Sequence, residues 1–240
     1  MIKVFQDAEA VSLAAAELFV ARAAHAIAST NRFGVAISGG KTPRSAFELL
    51  ARPPLSKRVD WARVHIFWVD ERCVAPTDDR SNYRWAREVL LDRVSIPPEN
   101  IHRIFGEQPP SVSAEAYQTT LEQFFGTRLP RFDLMLLGLG EDGHIASLFP
   151  GAPALLESTR WVVEVVASPD GLSRVTLTTA LINQACMIAF LVAGATKAAA
   201  LRNVFVDSID PLRLPAQAIR PQTGDLLWLV DRPAAALLRE

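Results

Sequence analysis

Cysteine is nearly missing from this chain: Cys73 and Cys186 are the two among 240 residues. They lie far apart and form neither a C-x-x-C pair nor a Cys/His cluster, which argues against a disulfide framework or a zinc site and leaves two inert thiols. An excess of one charge is missing too. With 25 basic against 26 acidic side chains, nothing draws the molecule to nucleic acid or to an anionic membrane, although a local cationic pocket is still allowed. No stretch approaches the ~20 apolar residues of a membrane span. The apolar N-terminal segment carries Asp7, Glu9, Glu17 and Arg22 at intervals, unlike the uninterrupted core of an export signal. Internal repeats, low-complexity tracts and long linkers are absent, and the proline-bearing stretches at 52–54, 97–98, 109–110 and 209–221 are short enough to be loops. The expectation is one soluble domain over residues 1–240, in a reducing, cytoplasmic setting, with no protein partner required.

What is present is a repeated grammar of apolar strand, polar loop and helix. Residues 8–29 are alanine-rich and helical in character, and FGVAIS (33–38) follows as a buried strand. GGKTPRSAFELLA then supplies a turn, Thr42 as N-cap, Pro43 at the first helical position and a helix. The pattern returns at VHIFWVD (64–70) before SNYRWAREVLLDR, at DLMLLGL (133–139), at MIAFLVAG (187–194) before ATKAAALRNVF, and at LLWLVD (226–231) before RPAAALLRE. WVVEVVA (161–167) and RVTLT (174–178) are further strand candidates. Near-continuous apolar strands alternating with helices predict an α/β fold: a single-domain, Rossmann-like, mostly parallel sheet with helices on both faces.

In such a sheet ligands collect outside the carboxyl ends of the strands. Those ends carry SGGKT, VDER, GLGEDGH and AGATK. Gly39 and Gly40 let the backbone approach a ligand closely, and the N–H groups at the following helix start suit an anion such as phosphate; a tight turn capped by Thr42 is the plainer alternative. The Gly40-Lys41-Thr42 ending hints at a nucleotide P-loop, but that motif needs glycine where Val35 stands. Asp70 and Arg72 end a strand, and Arg80 follows in a polar loop; either guanidinium could hold an anionic substrate, or these charges pair locally in solvent. Lys197 precedes a late helix, where its charge opposes the helix dipole and a bound anion would compensate.

The stretch GLGEDGH satisfies G-x-G-x-x-G through Gly138, Gly140 and Gly143, which invites a dinucleotide reading. Pro150, Gly151 and Pro153 end any helix after HIASLF, too soon for the crossover helix that reading needs, and Glu164 sits in mid-strand rather than at a strand end. His144 has the better claim. It is one of four histidines and directly follows a glycine turn, with Asp142 placed to fix its tautomer while it takes a proton from water. His25, His65 and His102 have no comparable setting and read as structural. No G-x-S-x-G elbow occurs, so hydrolysis here would use water directly rather than an acyl-enzyme.

Taken together, SGGKTP, FWVDERCVAPTDDRSNY, FDLMLLGLGEDGHIASLFPG, SRVTLTTALIN, AGATKAAAL, LPAQAI and WLVDRPAAALL resemble the 6-phosphogluconolactonase family, in order and over nearly the whole chain. The wider superfamily includes glucosamine-6-phosphate deaminase. The resemblance implies a NagB/RpiA-like fold, hydrolysis of a phosphosugar lactone, 6-phospho-D-glucono-1,5-lactone, in the oxidative pentose phosphate pathway, and neither metal nor organic cofactor. Carried onto this chain, it makes His144 the base that activates water and Asp142 its support. Gly39, Gly40, Lys41 and Thr42 match the substrate-cradling loop, and Arg72 and Lys197 the phosphate-side cations. Asp70, Arg80, Gly143 and Arg174 fall in family-like segments as further substrate-binding candidates. Lys41 departs from the serine of many relatives and adds a charge. The deaminase follows its histidine with an Asn-Glu-Pro segment, where this chain has Ser147-Leu148-Phe149-Pro150; a sugar-phosphate isomerase or deaminase and a non-catalytic phosphosugar sensor are the competing readings.

Overall fold

The computed structural model describes residues 1–126, 130–166 and 168–238. In chain order the strands and helices are β1 (Ile2–Phe5), α1 (Ala8–Thr30), β2 (Phe33–Ile37), α2 (Lys41–Leu50), β3 (Val64–Trp68), β4 (Asp70–Arg72), α3 (Asn82–Val89), β5 (Ile101–His102) and α4 (Pro110–Phe125). They continue with β6 (Leu134–Leu137), β7 (Val162–Val165), β8 (Arg174–Leu177), α5 (Thr179–Ile182), β9 (Met187–Val192), α6 (Ala198–Val206), β10 (Asp225–Asp231) and α7 (Arg232–Ala235). Seven strands form one sheet in the order β1-β10-β9-β6-β2-β3-β5, and every neighbouring pair is parallel. The chain first builds outward from β2 through β3 to β5, then returns to the other side of β2 with β6. The loops leaving β2 and β6 therefore diverge, which opens a crevice at their carboxyl ends.

Register shows that both faces are covered. Phe33 aligns with Val64, and Ala36 with Phe67, so Phe33 and Phe67 point to opposite faces. Phe19 of α1 meets Phe33 edge-on with ring centroids 5.2 Å apart, while Phe124 of α4 meets Phe67 at 4.9 Å. Gly34 lies on the α4 face, where an added Cβ would stand 3.4 Å from the Phe124 ring. β2 is buried along its whole length for this reason. Tyr117 of α4 fixes the end of β3: its hydroxyl donates to Trp68 O and accepts from Trp68 N–H, each at 2.9 Å.

Several expectations need correction. The chain leaves the large sheet at Val69, so the expected strand 64–70 is two strands, and β4 joins β8 and β7 in a separate antiparallel sheet. Strands β1 and β5 and helix α4 were not expected; the first two are short, and α4 starts at a proline pair that reads as a loop. α1 spans 23 residues, and by length and composition it is apolar enough to cross a membrane, contrary to the sequence expectation. Its apolarity serves the core instead: Val11, Ala15, Phe19 and Ala23 are buried on one face. Gly40, not Thr42, caps α2, because its φ of 117° turns the chain into the helix with no side chain involved. No helix follows His144; Ile145 and Leu148 bridge across a tight turn. Ala167, the last residue of the expected strand 161–167, and residues 239–240 of the closing helix lie outside the described residues.

The structural reading of two histidines has a measurable consequence. Burial, with the neighbouring His65 in second place, lowers the pKa of His102 to about 4. The ring stacks on Phe67 and its Nε2 lies 3.2 Å from His65 Nδ1. Between the ordinary histidine pKa near 6.5 and about 4, the unfolded chain binds the extra proton, so stability is full above this window and falls as pH drops through it. Replacing His102 by Phe, which keeps the stacking and cannot titrate, is expected to flatten the slope of unfolding free energy against pH in that window. An unchanged slope in urea titrations would contradict this.

Candidate active site

The four polar loops meet in one cleft of about 850 Å³ at the carboxyl edge of the large sheet. It collects Gly39, Gly40, Lys41 and Thr42 from the β2–α2 turn, Asp70 and Arg72 from β4, and Asp142 and His144 from the loop after β6. Arg174 reaches it from β8 and Lys197 from the turn Ala195–Lys197 after β9. Two expected residues are not brought in. Arg80 turns away and forks onto Asp78, with Nε 2.9 Å from Oδ1 and Nη2 2.8 Å from Oδ2; its backbone carbonyl, rather than its charge, serves the site by accepting from Arg72 Nη1 at 2.5 Å. Gly143 lies behind the cleft, where its φ of 84° makes the turn and a Cβ would press on Leu214.

The histidine loop is built around a missing side chain. Gly140 N–H donates to His144 O at 2.8 Å and Gly143 N–H to Gly140 O at 3.1 Å, which folds 140–144 into a closed turn. Inside it, Asp142 Oδ1 accepts from His144 N–H at 3.1 Å and lies 2.5 Å from His144 Nδ1. A Cβ on Gly140 would overlap the imidazole and the Asp142 carboxylate. Partial burial works to raise the Asp142 carboxyl, but the His144 backbone N–H and the imidazole outweigh it and hold the group below the usual range. An ionised Asp142 accepts the Nδ1 proton, and the neutral ring then carries its lone pair on Nε2. Phe149 packs against the same ring at 4.7 Å. The turn's internal bonding also removes donors: the N–H groups of Gly140, Gly143 and His144 are all engaged and cannot stabilise an oxyanion.

Unused donors lie across the cleft. No side chain caps α2, and among the described residues the N–H groups of Gly39, Gly40, Lys41 and Thr42 have no acceptor. Four free N–H groups at a helix start, with Lys41, Arg72, Arg174 and Lys197 around the same space, make an anion-binding wall. Lys197 Nζ stands 3.8 Å from Glu141 Oε1, and Arg174 pairs with Asp170. Burial pushes the Cys73 thiol up to about 11, in keeping with an inert cysteine. Among the described residues, no group of three or more His, Cys, Asp or Glu is placed to hold a metal ion.

Sequence reasoning missed the supports. Glu71, buried beside the cleft, accepts the N–H groups of Arg72, Asn82 and Tyr83, each at 2.7 Å, and the Ser81 hydroxyl at 3.1 Å, so it ties the start of α3 to β4. Asn82, 2 % exposed, is packed against Gly39, where a Cβ would strike its carboxamide. Ser147 is fully buried against Asp70. The available signal was a polar residue inside an otherwise apolar run, as Ser147 is in HIASLF.

The geometry predicts that Gly140→Ala forces His144 and Asp142 apart. Separated from the imidazole, the Asp142 carboxyl is expected to titrate at higher pH than in the native chain, which carboxyl-carbon NMR measures. An unmoved titration would show that the turn does not depend on this glycine.

Known proteins are similar to this chain over nearly its whole length. The family model described as glucosamine-6-phosphate isomerases/6-phosphogluconolactonase matches residues 6–228. A 6-phosphogluconolactonase of Nostoc sp. is 41 % identical over 99 % of this chain and 98 % of its own, and one of Synechocystis sp. is 44 % identical over 91 % and 90 %. The solved structure of 6-phosphogluconolactonase from Trypanosoma cruzi superposes with a TM-score of 0.88 at 28 % identity, covering 100 % of this chain and 97 % of that one. A monomeric glucosamine-6-phosphate deaminase shares the fold at a TM-score of 0.82, with 21 % identity over 98 % of this chain and 99 % of that one. The chain belongs to the glucosamine-6-phosphate isomerase/6-phosphogluconolactonase family.

Proposed function

We propose that this chain is a 6-phosphogluconolactonase, an ester hydrolase that opens 6-phospho-D-glucono-1,5-lactone to 6-phosphogluconate. The observation that carries the reading is the pairing of Asp142 with His144 Nδ1 at 2.5 Å in a cleft walled by cations and free N–H groups. His144 Nε2 takes a proton from water as its oxygen attacks the lactone carbonyl. The tetrahedral intermediate collapses by breaking the bond to the ring oxygen, which takes up the proton from the imidazolium, and the carboxylic acid so formed releases water's second proton to solvent and becomes a carboxylate. A δ-lactone is a reactive ester, so positioning, a base and stabilisation of charge suffice. The α2 N-terminus, Arg72 and Lys197 supply the attraction for the phosphate, and Arg174 adds a further positive charge on the wall. Two free cysteines are in keeping with a reducing cytoplasm.

Deaminase chemistry is the second reading, and the surroundings of His144 disfavour it. The group against the imidazole face is the Phe149 ring, not a carboxylate that would assist opening of an amino sugar. Incubating the chain with freshly generated 6-phosphogluconolactone, with spontaneous hydrolysis subtracted, is expected to show rapid acid release, and glucosamine 6-phosphate to yield no ammonia. Ammonia release without lactone hydrolysis would reverse the assignment.

A further inference from the structure

Asp70 is 4 % exposed yet forms part of the cleft wall. Two side chains hold its carboxylate: Ser147 Oγ donates to Oδ2 at 2.6 Å, and Asn82 Nδ2 to Oδ1 at 3.3 Å. The same Asn82 nitrogen donates to Asp70 O at 2.9 Å. Behind the carboxylate, Arg174 Nη1 donates to Ser147 Oγ at 3.5 Å. The serine hydroxyl thus accepts from a guanidinium and donates to a carboxylate, an order that polarises both bonds the same way. Ser147 is fully buried and lies outside the cleft wall, so it is no nucleophile. Its place has another consequence. Among the described residues no direct ion pair joins Asp70 to Arg174, because the hydroxyl stands between them. Both charges stay on the wall instead of cancelling each other.

We infer that Ser147 is a positioning residue for substrate selection: it holds the Asp70 carboxylate as a buried, acceptor-only group that a hydroxyl of the sugar must satisfy. A ligand with a donor there completes the network. One without leaves the cleft face of a desolvated carboxylate short of a donor, which is the costly case. The inference rests on the lactonase reading for its substrate, and on Asp70 meeting that substrate.

The test compares Ser147→Ala, Asp70→Asn and the double variant, with the lactone for kcat and KM, 6-phosphogluconate for direct binding, and inorganic phosphate as a competing inhibitor without a sugar. Ser147→Ala is expected to raise KM about ten-fold, the range for losing a hydrogen bond to a charged group, to move kcat much less, and to leave inhibition by phosphate unchanged. Ser147→Thr, which keeps the hydroxyl, should restore KM. Once Asp70 is Asn, the serine substitution should add nothing, because it acts through that carboxylate. An unchanged KM in Ser147→Ala or in Asp70→Asn would overturn the inference. So would an equal KM increase from Ser147→Ala in the Asp70→Asn background, or equally weakened phosphate inhibition, which a general disturbance of the cleft would produce. Should Ser147→Ala fail to fold, Ser147→Cys keeps the volume with a weaker donor and is read the same way. A native chain that neither hydrolyses the lactone nor binds 6-phosphogluconate would remove the functional reading and this inference together, whereas an active native chain with silent serine variants removes the inference alone.

Discussion

The parallel direction of the seven-stranded sheet is the constraint on which the site depends. Because every strand runs the same way, each strand exit falls on one edge, and residues more than a hundred positions apart meet there without any long loop. The reversal of strand order between β2 and β6 then forces two neighbouring exits apart. One carries the start of α2 with its free N–H groups and the other carries His144, so the anion wall and the base face each other across the same crevice. The small antiparallel sheet closes the third side: β4 and β8 pair with Arg72 opposite Arg174, which delivers two guanidinium groups from adjacent strands.

The division of labour inside the cleft follows from what each charge touches. Asp142 is spent on His144, whose backbone N–H and imidazole hold its carboxyl below the usual range, so it orients the base rather than meeting substrate. Glu71 is spent on backbone N–H groups and fixes the loop that carries Asn82. Asp70 keeps a face toward the cleft. The cations have fewer close partners, apart from Arg174 with Asp170 and the loose contact of Lys197 with Glu141. That excess of available positive charge suits a phosphorylated lactone, whose ring opening creates one more negative group.

Much of this was legible in the sequence. Apolar runs followed by polar turns marked β2, β3, β6, β9 and β10, and after each but β10 the chain enters the cleft. The site candidates that misplaced were those whose position depends on local pairing: Arg80 sits beside Asp78, two residues away, and an ion pair at that range wins over reaching into the cleft. Gly143 serves backbone conformation, and a motif does not distinguish a glycine that makes a turn from one that makes room, as Gly140 does. Short edge strands such as β1 and β5 carry too few residues for a period to show. The small sheet depends on a kink at Val69, inside an unbroken apolar run. What Ser147 and Asn82 hold was not legible, because their partner Asp70 is 77 and 12 residues away.

The central claim is that His144, oriented by Asp142, is the base that activates water. It is tested most directly by the rate of 6-phosphogluconolactone hydrolysis with His144→Ala, measured beside the native chain with the spontaneous reaction subtracted and the thermal melt checked. A loss of about 10²–10⁴-fold in kcat at an unchanged melting temperature is predicted. A folded variant that keeps the native rate would contradict the account.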